Sequence, residues 1–539
     1  MIYYILLYEM DISPEIRLKR FLHITSETNV YSSGCRSFQN YFKTELVPSL
    51  TELIDDGKED FVLNTIKTIN EEKSSCYIEA SLYILSEMAK NAKIRQKTLD
   101  VAKLLCKNAE SFIIFIKLSI EPKPRVGFGR SFRKFIQEWY LSKDYLPLAE
   151  IIGAMNRYRG WRHSDIIKLA HIKCEDPAKA ASFKFATYGA EEMKKQYGTI
   201  EGCEKVVSYL CTVETYRKKK DPTEVAEKIE SYMLGKEHIS TALLNDKKVW
   251  LALLRQMPVI QVLDHIQYMN KRKLFRGTRS WDAVFVDTLV EALTRPGAKK
   301  NDVTVNKVFK TLINYENAAR IKLELASKLK QLSKKPPVIC PDVVQALIKL
   351  MDIMYEKVKP TGKKYYIAIE SSQDMDKRRC QTSRYTMLVE AAALIAHYFY
   401  RTEENVKIVT FNDSDIKPFP ITREATVKQV IENLKAANGN EIANKKVDGN
   451  IVTEVQEEMT KEEEDFDVCI IVKSMLSVNT LSGHTIGQDN NNKTRYVVCN
   501  LCGTFPKNIR PPDLPNLLFL FGFDEKICEV ISSFASGSF

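Results

Sequence analysis

KPTGKKYYIAIESSQDMD, residues 359–376, is where this chain changes its period. Pro360 and Gly362 punctuate the chain, as Lys334-Lys335-Pro336-Pro337 does earlier, with one helical stretch, Asp342 to Lys357, between the two breaks. Tyr365 to Ile369 is then a short, continuous apolar run of strand length. From here a new alternation sets in. Leu388 to Arg401 reads as a helix, Val406 to Phe411 as a strand and Thr426 to Leu434 as a helix, and Val468 to Val472, Tyr496 to Cys499 and Leu517 to Phe521 are three further apolar runs. Buried runs alternating with helices predict a doubly wound, mostly parallel sheet covered on both faces. Ser474 to Lys493, rich in Asn, Ser and Gly, reads as a loop between strands.

Upstream, from about residue 12 to 358, helix follows helix with short breaks. Ser131 to Leu141 sets the pattern: Phe132, Phe135, Ile136, Trp139 and Tyr140 share one face, and Arg130, Arg133, Lys134 and Gln137 the other. Similar amphipathic runs fall at Cys76 to Lys90, Ala186 to Tyr197, Val206 to Arg217, Thr223 to Leu234, Lys247 to Gln256, Val259 to Asn270, Trp281 to Leu293 and Val305 to Asn314. So many helices in one segment exceed a single bundle and predict HEAT-like stacked hairpins, an α-solenoid, although no clean sequence repeat stands out. Two domains follow: residues 1–358, helical, and 359–539, α/β.

The charge is unevenly shared. Of 80 Lys and Arg and 69 Asp and Glu, residues 361–539 hold 21 and 25, a net −4, which leaves 59 and 44, a net +15, on residues 1–360. A basic helical half implies a polyanionic partner. The densest cluster is Arg157 to Lys173, RYRGWRHSDIIKLAHIK, with Arg157, Arg159, Arg162, Lys168 and Lys173 joined by His163 and His171. Ser164 is the expected N-cap of a short helix whose buried side is Ile166, Ile167, Leu169 and Ala170; Ser164, Lys168 and His171 form a polar stripe. A solvated helix face beside a packed Trp is the plainer account of the same residues.

Other classes lack the residues they need. The 12 Cys are scattered, the Cys499-x-x-Cys502 pair has no second pair, and the seven His show no metal or nucleophile motif. No apolar run reaches the roughly 20 residues of a membrane span, and the start, MIYYILLYEMD, has neither a basic n-region nor a cleavage site. The expectation is an intracellular protein without a membrane partner, cytoplasmic with the nucleus as a second compartment.

The strand at Tyr365 ends in Glu370-Ser371-Ser372-Gln373-Asp374, which is close to the DxSxS signature of the metal-ion-dependent adhesion site in von Willebrand factor A domains. Glu370 stands for the first Asp, Ser372 is kept, and Asp374 replaces the last Ser. By order along the chain Asn440 takes the place of the Thr and Ser474 that of the later Asp. Magnesium needs near-ideal octahedral oxygens, so the expectation is a degenerate site with no metal and no cofactor.

The two halves together resemble the Ro ribonucleoproteins, the SS-A/Ro autoantigens of the TROVE family, in which a ring of helical repeats is closed by an A domain. The matching residues, in family order, are Lys19-Arg20-Phe21-Leu22, Gly129-Arg130 through Trp139-Tyr140, Gly160-Trp161 with His163, Leu169 to Lys173, and Glu237-His238 through Val249-Trp250 to Met257-Pro258. Lys359 to Lys363, Val498-Cys499 and Gly522-Phe523-Asp524 continue the series. The resemblance implies a non-enzymatic, monomeric RNA-binding protein: small noncoding Y RNAs on the outer ring surface, single-stranded 3′ ends of misfolded RNAs in the central hole, and protein partners through the A domain. It implicates Lys19, Arg20, Arg130, Arg133, Lys134, Arg157, Arg159, Arg162, His163, Lys168, His171 and Lys173 in RNA contact. Two basic family positions are replaced by Ala154 and Tyr158. Two rivals remain open: a protein-binding scaffold without RNA, and a metal-dependent RNA-processing enzyme resting on Glu370 and Asp374.

Overall fold

The computed structural model describes residues 12–34, 41–42, 47–72, 77–121, 127–154, 157–277, 280–295, 303–328, 339–412, 415–438, 451–462, 465–475, 494–503 and 513–539. Asn440, the Lys334 to Pro337 break and most of the Ser474 to Lys493 segment lie outside them.

Helix α1 (Pro14–Ile24) leads to a three-residue strand, β1 (Val30–Ser32), and then to an array of helices: α2 (Pro48–Asp55), α3 (Glu59–Glu72), α4 (Ile78–Met88), α5 (Arg95–Leu105), α6 (Ala109–Ile120), α7 (Arg130–Leu141), α8 (Tyr145–Ala154) and α9 (His163–Ala170). It continues as α10 (Pro177–Tyr188), α11 (Ala190–Tyr197), α12 (Glu204–Lys218), α13 (Pro222–Ser231), α14 (Lys247–Gln256), α15 (Val259–Lys271), α16 (Ala283–Thr294), α17 (Val305–Lys328) and α18 (Pro341–Tyr355). Along much of the array a helix packs on the one two places further on: α3 on α5, α5 on α7, α7 on α9, α8 on α10, α10 on α12, α14 on α16, α16 on α18. That is the contact pattern of stacked hairpins, each of which buries its apolar face only against its neighbours.

Helix α7 shows how the sequence builds one layer. Phe132, Phe135, Ile136, Trp139 and Tyr140 are all buried, as their spacing predicts. Trp139 lies flat on Phe112 of α6 at 3.9 Å, and its Nε1 donates to the Cys106 carbonyl at 2.6 Å. Arg130, Arg133 and Lys134 are left on the exposed side. The Ala186 to Tyr197 run is not one helix: Gly189, at φ 87°, ends α10 and opens α11. The Val305 run extends well beyond Asn314.

The second part is the expected α/β fold. Its elements are β2 (Tyr365–Glu370), α19 (Gln373–Lys377), α20 (Leu388–Thr402), β3 (Val406–Phe411), β4 (Ile416–Pro418), α21 (Val427–Ala437), α22 (Ile451–Thr460), β5 (Val468–Lys473), β6 (Arg495–Asn500), β7 (Leu517–Phe521) and α23 (Ile527–Ala535). The described strands form a seven-stranded sheet in the order β1-β7-β6-β5-β2-β3-β4, parallel except for β4 against β3. Successive residues of β2 point to opposite faces. Tyr365, Ile367 and Ile369 join the core shared with the helical array, while Tyr366 and Ala368 join a second core closed by Val455 and Met459 of α22.

Both ends of the helical array are fastened to this sheet domain. At one end β1 pairs with β7, Tyr31 donates its hydroxyl to Asp524 at 2.8 Å, and α1 packs on α23. At the other, α17 and α18 pack on α20, where Asn317 donates to Glu390 at 2.9 Å and Tyr355 bonds His397 at 2.7 Å. The array is therefore closed through the α/β domain.

Candidate nucleic-acid interface

The basic stretch folds as a tight hairpin followed by a helix. Tyr158 and Trp161 exchange two backbone hydrogen bonds of 2.9 Å each, and Arg159 and Gly160 between them both have positive φ, 50° and 97°. Two positive φ values in a two-residue loop define a type I′ turn, a conformation Gly adopts freely and Arg adopts under strain. Arg159 thus sits at the tip of the turn, exposed, with its guanidinium 5.7 Å from the centre of the Tyr158 ring. Trp161 anchors the hairpin by donating to Glu121 at 2.9 Å, and Glu121 also takes Lys117 at 2.7 Å. Arg157 donates back to the Gly160 carbonyl at 3.2 Å.

Helix α9 begins at His163. Its N-cap is Arg162, whose backbone N–H is accepted by Asp165 at 3.3 Å; Ser164, the expected cap, lies inside the first turn, two positions beyond Arg162. Ile166, Ile167 and Ala170 are buried as expected, but Leu169 is exposed. His171 ends the helix in the left-handed region at φ 50°. It therefore extends the Lys168 side of the surface from a cap position rather than from within the helix. Arg157, Arg159, Arg162, Lys168, His171 and Lys173 are all exposed. Because α9 packs beside α7, and Gln137 of α7 donates to the Ala170 carbonyl at 3.2 Å, the exposed Arg130, Arg133 and Lys134 belong to the neighbouring helix of the same layer.

Two expected contact residues are inside the protein. Arg20 is 2% exposed and spends its guanidinium on Asp513 at 2.5 Å and the Leu514 carbonyl at 3.1 Å, tying α1 to the α/β domain. His163 is 3% exposed, and its Nδ1 meets the Tyr140 hydroxyl at 2.7 Å. Burial, with Lys143 nearby, pulls the His163 pKa down to about 4, so the ring is neutral at pH 7. Neither side chain lies on the exposed surface. Lys19 is half-buried on α1, whose packing partners are α2, α3, α4 and α23, away from the α7 and α9 layer.

One residue on this face was not read from the sequence. Tyr188, the last residue of α10, is 64% exposed, with Lys184 Nζ 4.3 Å and Lys168 Nζ 5.9 Å from its ring centre. An exposed aromatic ring between two ammonium groups offers a base a stacking surface beside its phosphates. Its sequence signal is faint: a Tyr just before a Gly, on a run that looks continuous with the next helix.

The strand-end carboxylates are arranged differently from a metal centre. Glu370 is buried and accepts from Ser372 Oγ at 2.6 Å, from the Ser474 N–H at 2.7 Å and from Ser474 Oγ at 2.8 Å. Asp374 turns away to Arg378 at 3.1 Å. The hydroxyls that would face an ion are donated to the carboxylate instead, so the residues present do not fit a magnesium site. Among the described residues no cluster of three or more His, Cys, Asp or Glu has metal-binding geometry, and no helix is long and apolar enough to cross a membrane.

A helical solenoid closed by a mostly parallel α/β domain, with a basic hairpin and helix on its surface, is the class of protein these features define. Residues 364–535 match the family described as the Ro60 vWA domain. The chain is 22% identical over 487 residues to the RNA-binding protein RO60 of Caenorhabditis elegans, covering 78% of this chain and 72% of that protein. It is 20% identical over 541 residues to the RNA-binding protein RO60 of Deinococcus radiodurans, covering 98% and 93%. The crystal structure of the Deinococcus radiodurans RO (RSR) protein superimposes with a TM-score of 0.77 at 18% identity, over 98% of this chain and all of that one. The resemblance to the Ro ribonucleoproteins is borne out, and with it the helical array closed by an A domain.

Proposed function

We propose that this protein binds RNA and is not an enzyme, and that the surface formed by α7, the 157–161 hairpin and α9 is a principal contact. The observation that carries this reading is the hairpin, which holds Arg159 at a strained tip beside exposed Arg157, Arg162, Lys168, His171 and Lys173. A backbone position that disfavours its own side chain is explained by what the side chain does. The similarity to two RNA-binding RO60 proteins supports RNA as the ligand class.

At a finer level, small noncoding Y-type RNAs are the ligands proposed for this face, and single-stranded 3′ ends of misfolded RNAs for the hole of the ring. Lys and Arg neutralise phosphates while Tyr188, Arg159 and His171 meet unpaired bases, the usual way RNA loops and ends are read. The protein acts as a monomer in the cytoplasm, with the nucleus as a second compartment, and the A domain meets protein partners without a metal.

The test is a binding titration of the full chain with a structured RNA bearing a single-stranded 3′ tail and with a fully duplex RNA. The tailed RNA should bind more tightly. If about six phosphates are neutralised, log K should fall with log salt at a slope of about −4 to −5. A flat salt response sinks the proposal.

A further inference from the structure

Beneath the basic surface, α8, the start of α9, α10 and α12 enclose a small recess of about 190 Å³. Its walls include Arg162, His163 and Ser164 at the start of α9, Phe185 of α10, and Glu214 and Arg217 of α12. His163 is the informative member. Its Nδ1 is spent on the Tyr140 hydroxyl, and its Nε2 is buried with no hydrogen-bond partner.

The tautomer follows from Tyr140. That phenol is fully buried, with its pKa raised well above 10 by burial, and the bond it makes is to His163 Nδ1. Among the described residues Nδ1 is the one hydrogen-bond partner of that hydroxyl, so the buried phenol proton is satisfied only when it is donated to Nδ1, and in that tautomer the hydrogen of the neutral ring sits on Nε2. An N–H is therefore left in the wall of the recess. A buried donor without a partner costs about 1–3 kcal/mol, an expense a native fold rarely carries without a ligand to meet it.

The rest of the lining has the same polarity. Arg162 is exposed, and Arg217, which also donates to the Gly153 carbonyl, is half-buried. Ser164, whose hydroxyl donates to Asp165 at 3.4 Å, lines the recess from the first turn of α9, where the helix dipole favours negative charge. Two acidic side chains stand near. Glu214 is already paired with Lys218 at 2.7 Å, and Asp165 caps the Arg162 N–H. Two guanidiniums against one neutralised carboxylate in the lining leave the recess electropositive and rich in donors.

We infer that this recess is an oxyanion site which holds one phosphate group of an RNA lying on the α7 and α9 surface. The inference rests on the RNA-binding reading for the source of the phosphate, but not for the site itself. Arg162 links the two, because it belongs both to the exposed cluster and to the recess. The His163 N–H and the Arg217 guanidinium meet the oxygens from the buried side, and Phe185 and Ile152 close the recess to a larger group.

The full-length protein is titrated with inorganic phosphate, followed by phosphorus NMR line width, and separately with the tailed RNA. Wild type should show saturable phosphate binding. Arg162→Gln and Arg217→Gln should each weaken it at least tenfold, and Ser164→Ala by less; Arg162→Lys should restore part. His163→Gln serves as a further variant if its melting temperature is unchanged. With RNA, Arg217→Gln should lower the salt slope by about 0.7, the contribution of one single-strand phosphate. Phosphate binding that is absent, or equal in wild type and all variants, overturns the site. Saturable phosphate binding with an RNA slope unmoved by Arg217→Gln refutes the RNA as source. A protein that binds phosphate in this way but no RNA would refute the functional reading and leave the oxyanion site standing.

Discussion

Replacing Glu370 by Ala tests whether the end of β2 is a hydrogen-bonded lock or a metal centre. The carboxylate is 8% exposed and gathers the Ser372 hydroxyl, the Ser474 N–H and the Ser474 hydroxyl, both serines themselves buried. Ala leaves these three donors without their acceptor, at about 1–1.5 kcal/mol each, for a total of about 3–4 kcal/mol. In a domain of this size one kcal/mol moves Tm by about 2–4 °C, so the A-domain transition should fall by roughly 10 °C. The drop should be the same in EDTA and in about 5 mM magnesium or calcium. A metal site with a dissociation constant near 100 µM would instead stabilise wild type by about 2.3 kcal/mol at that concentration. The assay is thermal unfolding by circular dichroism under the three conditions. A wild-type Tm that climbs several degrees with metal, and a Glu370→Ala variant that does not respond, would refute the lock.

Charge reversal at Lys168 and His171, both to Glu, should weaken a Y-like RNA at least tenfold while shifting Tm by no more than a degree or two, since both side chains are exposed; electrophoretic titration against a plain 3′ tail, which should bind almost as before, checks it. Asp524→Ala removes the acceptor for Tyr31 and the Gly34 N–H, and amide exchange of Ser33 and Phe519, which bond across β1 and β7, should quicken at least tenfold. Burial pulls the His397 pKa down to about 4 from its ordinary 6.5. The unfolded chain therefore takes up a proton that the folded chain refuses. Stability from this group is complete above pH 6.5 and lost as pH falls towards 4, and between pH 7 and 5 the loss is about 2 kcal/mol. Urea unfolding should show His397→Gln losing that much less than wild type over the same step.

Periodicity carried most of the fold. Lys247 to Gln256, Val406 to Phe411 and Leu517 to Phe521 are bounded as their patterns predict, because each buries a face or a run whose period is visible in the residues themselves. Strand β1 was not legible. Val30-Tyr31-Ser32 is too short to have a pattern, and it is a strand only because β7 lies beside it. The candidate site failed for the same reason wherever a partner decided the outcome. Nothing in Lys19-Arg20 shows that Arg20 meets Asp513, and nothing in the 157–173 stretch shows that His163 meets Tyr140. Lys168 and Tyr188 are 20 positions apart, and no local pattern joins them. Arg159 was legible as a charge, and only the turn shows that it is held at a tip.

The pairing of β1 with β7 also sets the order in which the protein can be made. Val30 lies opposite Phe519, so β1 must wait for β7, the first and last of the described strands. At about 5–20 residues per second that interval is roughly 25–100 s, during which Tyr31 and its neighbours have no sheet to join. The nascent helices can stack as they emerge, because each needs only those next to it. Closure of the ring through this pairing then waits until β7 has been made, and a fragment that stops short of Leu517 leaves β1 without its partner strand.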